Sequence, residues 1–320
     1  MEVQDAVTDY LLDNTHLEKR TQAVYRQRLT VFADWCKDAG FMLEQVNNRR
    51  VQAFLAHLRA THRPHKKGDR ELSTHTIAGY VRFIRTFLYW CSRDEEHSQY
   101  VKLDTIKGIK MPRVSLVVKK TFSDVEIVLL FDACKHPSKP YDYQLRDRAI
   151  LSILLDTGIR AAELRTLSIE RVTLAREARE DSYLTVMGKG RREREVPLGN
   201  KARRALNRYL REVRRGAAPS DPVFLSRHGG QLSHEALSDI LGRLKALSTL
   251  PASVGVNPHK FRHTFASRYL AQGGDIYDLQ KVLGHQSIVV TEGYTQSLSA
   301  AQVRKRKERM SILDHLKEGL

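Results

Sequence analysis

Cysteine is scarce. The 320 residues contain three, Cys36, Cys91 and Cys134, odd in number and too widely spaced for a CxxC zinc site. Such usage excludes a disulfide framework and fits a reducing, cytoplasmic location. Long apolar runs are missing too. The longest mostly apolar stretch, 149–155, is far short of the roughly 20 residues a membrane helix needs. Mean hydropathy is −0.45, so no membrane association is expected. The opening Met1, Glu2, Val3, Gln4, Asp5 lacks the basic-then-apolar layout of a secretory signal. Neither a GxxxxGK[ST] phosphate loop nor an acidic cluster suited to Mg²⁺ occurs, and there is no internal repeat. Positive charge, in contrast, is plentiful: Lys plus Arg number 54 against 37 acidic residues, a formal charge of +17. A polyanionic partner such as nucleic acid is the natural match.

The length suggests two domains. The first 110 residues read as helical. Apolar positions recur with helical spacing in 17–39 (Leu29, Phe32, Trp35), which Gly40 can stop, and in 48–60 (Val51, Phe54, Leu55, Leu58). A third helix starts at a Ser73 or Thr74 cap and carries Ile77, Val81, Ile84, Leu88 and Cys91. Residues 61–70 form a basic loop with Pro64 and Gly68. His57, His62, His65 and His75 straddle it without cysteine or carboxylate partners, so no metal is expected there. Gly108 and Pro112 mark a linker whose later part, 116–118, is apolar enough to be a short strand. Ser123 with Glu126 then forms a capping box that opens the second domain.

That domain mixes helix with a little strand. A helix over 146–157 ends at Gly158. Strands at 183–187 and 195–198 flank a basic turn, Gly188, Lys189, Gly190, Arg191, Arg192, with the lysine at its tip. Helices are expected at 201–214, 233–247, 259–272 and 276–283. The fold class is therefore mainly α with a small β-sheet.

Four segments carry candidate chemistry. Arg160 follows a helix end and a glycine turn, where a side chain can reach a ligand, and Glu163 is placed to orient its guanidinium. Lys189 on a hairpin tip can enter a groove and donate a proton. His259 and Arg262 share a helix face, a pairing suited to phosphate, while Phe261 and Phe265 share the other face and read as core. His263 reads as a packing or orienting residue. His285 follows a helix-ending Leu283-Gly284, and Tyr294 lies nine residues further on.

Together these segments resemble the tyrosine recombinase (phage integrase) family, over nearly the whole chain. Arg160-x-x-Glu163-Leu164 is similar to the first arginine box, Lys189 to the hairpin lysine and His259-x-x-Arg262-His263 to the second box. Leu283-Gly284-His285 and Tyr294 are similar to the third histidine and the nucleophile. The intervals of 23 and 9 residues from Arg262 to His285 to Tyr294 look Xer-like. Ala161-Ala162 is less bulky than usual for the family. Gly293 is an unusual residue before the tyrosine, expected to loosen the nucleophile segment.

The resemblance implies a helical N-terminal core-binding (SAM-like) DNA-binding domain over 1–110, a linker at 111–120 and an α+β catalytic domain over 121–299. A helical tail at 300–320 would dock either on its own domain or, in exchange, on a neighbouring protomer. It implies a site-specific DNA recombinase or integrase working through a covalent 3′-phosphotyrosine. Tyr294 would attack, Arg160, Arg262 and His285 hold the phosphate, His259 relay the phenol proton and Lys189 protonate the leaving 5′ oxygen, with Glu163 accessory. The bond energy stays in the phosphotyrosine, so no cofactor or metal is implied. The partners would be a double-stranded recombination site, further copies in a tetrameric synaptic complex and, in some systems, a partner recombinase. Arg82 and Arg85 are candidates for base readout. Two other readings share these residues: a catalytically silent DNA-binding protein, and a type IB topoisomerase-like relaxing activity. Target sequence, crossover spacing and the choice between chromosome resolution and mobile-element movement are not written in these motifs.

Overall fold

The computed structural model describes residues 1–61, 72–113, 120–175, 181–188 and 192–295. The chain divides into two compact units, Met1–Val117 and Val118–Leu320. Of the expected loop at 61–70, Thr61 is helical; the rest of it, Lys189 at the hairpin tip, most of the linker and the tail at 300–320 lie outside the described residues.

The first unit is built from α1 (Val3–Asp13), α2 (Lys19–Asp38), α3 (Asn48–Thr61), α4 (Thr74–Cys91) and α5 (Leu103–Gly108). Ser73 caps α4 by accepting from the Thr76 amide, as expected. Leu29, Phe32, Val51, Phe54, Val81, Ile84 and Leu88 are buried together, and so are Cys36 and Cys91. Each such apolar side chain contributes about 1.5–3 kcal/mol. Helices α1 and α5 were not expected from periodicity. Helix α1 closes the bundle through Val3, Val7 and Tyr10, and Trp90 Nε1 donates to Asp13 at its end at 2.7 Å.

The second unit contains α6 (Asp124–Cys134), α7 (Tyr141–Thr157), α8 (Ala161–Arg165), β1 (Val172–Thr173), β2 (Tyr183–Met187) and β3 (Glu193–Pro197). Then follow α9 (Asn200–Val213), α10 (His234–Leu247), α11 (Pro258–Ala271), α12 (Ile276–Leu283) and α13 (Ile288–Thr295). The Ser123–Glu126 capping box opens α6 as read from sequence. Helix α7 is the spine. It packs on α6, α9 and α11 and is buried on every side over 149–154, the pattern of a core helix. The three strands form one antiparallel sheet in the order β1-β2-β3, with Leu184 opposite Val196. Strand β3 starts at Glu193, two residues before the expected start, because Met187 still pairs with Glu193 across the hairpin. Leu184, Val186 and Val196 face the core. Helix α13 was missed, since eight residues with a glycine give little periodic signal. No helix among the described residues is long and apolar enough to cross a membrane.

Two glycines shape the ends that carry the site. Gly158 closes α7 with φ +61°, and Gly284 closes α12 with φ +64°. Both conformations disfavour side chains. A Cβ on Gly158 would stand 2.5 Å from Phe265 Cδ1, and one on Gly284 2.9 Å from Arg194 Nη1. Gly158→Ala is expected to lower stability by roughly 2–4 kcal/mol. A urea titration followed by far-UV circular dichroism measures it; an unchanged midpoint contradicts this account.

Candidate functional site

The site grows from the C-terminal end of α12. The last carbonyls of a helix have no partner within it and form its negative pole. Here each of three goes to a different arginine. Val282 O accepts from Arg194 Nε at 2.8 Å, Leu283 O from Arg262 Nη2 at 2.8 Å and Gly284 O from Arg160 Nη2 at 2.9 Å. Arg262 also donates through Nη1 to Gly158 O at 2.9 Å, at the end of α7. Both left-handed glycines thus present carbonyls to the arginines.

Below them lies Glu163, whose side chain is 2% exposed. Arg194 grips it with both terminal nitrogens, at 2.8 and 2.9 Å. Arg160 reaches it through Nη1 and through its own backbone N–H, both at 2.8 Å. Burial alone would push this carboxyl up. The Arg194 and Arg160 hydrogen bonds outweigh burial and hold it below the usual range. Arg262, by contrast, is held below its ordinary value by burial and by its neighbour Arg160. It still keeps its charge.

His285 sits on this cationic floor. Its Nε2 is 2.7 Å from Arg262 Nη2 and its Nδ1 is 2.9 Å from Thr291 Oγ1. Burial, then Arg262, Arg160 and Arg194, push its pKa down to about 4, so the ring is neutral at pH 7. The Tyr294 ring lies parallel to it, centroids 6.0 Å apart, and takes the edge of His263 at 4.8 Å. Tyr294 is 6% exposed, packed with Leu270, Leu279 and Leu283 between α11, α12 and α13. Its hydroxyl hydrogen-bonds with Arg262.

Arg160, Arg194, His259, Arg262, His285 and Tyr294 line one cleft of about 850 Å³. Of the residues singled out from sequence, the structure brings together Arg160, His259, Arg262, His285 and Tyr294, with Glu163 beneath. Gly188, next to Lys189 in sequence, lines the same cleft. Gly293 stays inside α13. Sequence reasoning missed Arg194 and Thr291. Arg194 had a signal: alternation along β3 puts it on the same face as buried Val196, and an inward arginine requires an acceptor. Thr291, three residues before Tyr294, lies on the same side of α13. Phe261 and Phe265 do not share one core: Phe261 joins the main one, and Phe265 the small cluster around Tyr294. Among the described residues no group of three or more His, Cys, Asp or Glu is arranged to hold a metal. What the cleft offers is a rigid set of guanidiniums around a phenol, suited to a tetrahedral anion.

Residues 4–94 match the phage integrase SAM-like domain and residues 120–300 the phage integrase family. The tyrosine recombinase XerC of Actinobacillus pleuropneumoniae is 32% identical, over 90% of this chain and 86% of its own. XerD of Pseudomonas aeruginosa is 31% identical, over 92% and 93%. Among solved structures, the XerH site-specific recombinase in a post-cleavage complex with palindromic difH superposes with a TM-score of 0.73. It is 20% identical and is matched over 92% of this chain and 80% of its own. The Tn1549 transposon integrase in complex with transposon right-end DNA gives 0.71 at 18% identity, over 97% and 100%. The chain belongs to the phage integrase family and, within it, is a Xer-like tyrosine recombinase.

Two outcomes follow from this geometry. Glu163→Gln leaves Arg160 and Arg194 without their counter-charge and is expected to cost about 3 kcal/mol, read as a lowered urea midpoint; a neutral effect contradicts the arrangement. For His285, the unfolded chain takes up a proton near the ordinary 6.5 and the folded one near 4. The unfolded state therefore binds more protons between these values, and this group destabilises the fold as pH falls through that window. His285→Asn should flatten the slope of stability against pH between about 6.5 and 4; an unchanged slope contradicts the assignment.

Proposed function

We propose that this chain cuts and rejoins DNA at a specific site, with Tyr294 as the attacking group and a 3′-phosphotyrosine as the intermediate. The observation that carries this reading is the convergence of Arg160, Arg262 and His285 on the cleft that holds the Tyr294 hydroxyl. The Tyr294 oxygen attacks the phosphorus of a phosphodiester, forming a P–O bond, and the P–O bond to the 5′ oxygen breaks. Negative charge builds on the non-bridging oxygens, where the two guanidiniums and the imidazole are preorganised to hold it. The phenol has an ordinary pKa of about 10 and gives up its proton with the help of His259. Lys189 protonates the departing 5′ oxygen. A 5′ hydroxyl from a second strand then attacks the phosphotyrosine and restores the phenol, so the backbone is resealed without an external energy source.

In this reading residues 1–110 hold the core of the DNA site, 111–120 link, and 121–299 carry the chemistry. Arg82 and Arg85 on α4 contribute to its recognition. The charge of +17 supplies sequence-independent grip. Exchange between two duplexes requires four cuts, and four copies assembled on two sites provide them. Support comes from a lambda integrase tetramer bound to a Holliday junction, which shares the fold with a TM-score of 0.65. The action takes place in the cytoplasm, with or without a partner recombinase.

The test uses a nicked duplex carrying the site recovered by binding selection from random sequence. Loss of the short fragment beside the nick traps the intermediate. Wild-type protein is expected to migrate as a protein–DNA adduct under denaturing conditions, and Tyr294→Phe to give none. Failure of the wild type on a verified site, or an adduct in the variant, overturns the proposal.

A further inference from the structure

His285 is held at both ring nitrogens, and the chemistry of its two partners fixes where its proton sits. A guanidinium can only donate hydrogen bonds. Arg262 Nη2, at 2.7 Å, therefore obliges Nε2 to accept. A neutral imidazole then carries its hydrogen on Nδ1, and that hydrogen is donated to Thr291 Oγ1 at 2.9 Å. In this arrangement the ring offers nothing to a phosphate, because the nitrogen facing the cationic floor presents a lone pair. A group meant to donate to a phosphodiester is thus found in the wrong tautomer for it.

A hydroxyl is the one partner that resolves this. A carboxylate at position 291 would only accept and would lock the hydrogen on Nδ1. An ammonium would only donate and would lock the lone pair there. A threonine hydroxyl does either by rotating about one bond. Thr291 is fully buried, so water does not substitute for it. It also stands on α13 three residues before Tyr294, so the helix that carries the attacking phenol also holds the imidazole.

We propose that Thr291 is a positioning residue that lets His285 change tautomer, accepting from Nδ1–H while Arg262 donates to Nε2 and donating to Nδ1 once a phosphate oxygen takes that Arg262 N–H in place of Nε2. Nε2 takes a proton from water in the cleft that His285 lines, the ring returns its Nδ1 proton to that water, so it stays neutral, and Nε2–H points at a non-bridging oxygen. The groups facing the ring are Arg160 and Glu163 from the α8 end, Arg194 from β3, Arg262 from α11 and Tyr294 from α13. Three of these are guanidiniums, so they favour a neutral ring that switches tautomer over a ring that takes up charge. This inference rests on the proposed reaction for its purpose, but not for its first observable.

The test has two separable readouts. The first is ¹⁵N NMR of the histidine-labelled full chain without DNA, with His285 assigned by its disappearance in His285→Gln. Wild type is expected to show Nδ1 protonated and Nε2 bare. Arg262 keeps Nε2 the acceptor without help from position 291, so Thr291→Val, which keeps the shape and removes the hydroxyl, is expected to stay protonated on Nδ1 but to shift the Nδ1 resonance through the lost hydrogen bond, and Thr291→Ser to retain the wild-type resonance. The second is the rate of adduct formation on the nicked duplex. Thr291→Val is expected to be slower by roughly tenfold, on the scale of other groups that orient a histidine, and Thr291→Ser to stay within about threefold of wild type on that same scale. An Nε2–H ring in the DNA-free wild type, a Thr291→Val protein with wild-type resonances or rate, or a Thr291→Ser protein as slow as Thr291→Val overturns the proposal. If the wild type forms no adduct while the ¹⁵N pattern depends on the hydroxyl as described, the tautomer assignment stands and the proposed reaction fails.

Discussion

Three guanidiniums crowded into one cleft repel one another, and the fold exists in this form because something answers that repulsion. The answer is the blunt end of α12. Val282, Leu283 and Gly284 give their carbonyls to Arg194, Arg262 and Arg160 in turn, and Glu163 supplies one full negative charge beneath. The negative pole of a helix and one buried carboxylate are weaker than three positive charges together. The cleft is left with a surplus of positive potential, held on side chains tethered by these carbonyls and by Glu163. That is the condition under which stabilising a phosphoryl transition state costs little reorganisation.

The same arrangement explains why so many site residues fall where helices stop. Arg160 begins α8, His259 begins α11 and His285 follows the end of α12. Helix interiors satisfy their own backbone, whereas helix ends leave groups that must be answered by side chains. Gly158 and Gly284 turn the chain sharply enough to expose those groups toward one point, and the spine helix α7 fixes where that point lies.

Much of this was legible in the residues. Strongly periodic stretches such as the one holding Ile77, Val81, Ile84 and Leu88 became helices within a residue or two of their expected limits, because a regular apolar stripe has few other ways to be buried. Gly158 and Gly284 marked their helix ends correctly for the same reason that they are glycines. Helix α1, by contrast, is too polar in its own right to announce itself: Asp5, Thr8, Asp9 and Asp13 interrupt the pattern, and only tertiary packing of Val3, Val7 and Tyr10 defines it. Within the site, motif spacing reached Arg160, His259, Arg262, His285 and Tyr294, which lie far apart in the chain. It could not reach Arg194 or Thr291, whose importance lies in a partner's geometry: a carboxylate 31 residues upstream and an imidazole six residues upstream, before the helix begins.

Cys36, Cys91 and Cys134 are all buried, and burial pushes each thiol up to about 12. At neutral pH almost no thiolate exists to attack an alkylating agent or an oxidant. The native chain is in effect silent to sulfhydryl reagents, and any labelling that does occur records an opening event. Two of these sulfurs lie in the first unit and one in the second. The protein therefore carries its own built-in reporters of breathing in each half, and a cysteine introduced on the surface can take a fluorophore without removing the native three.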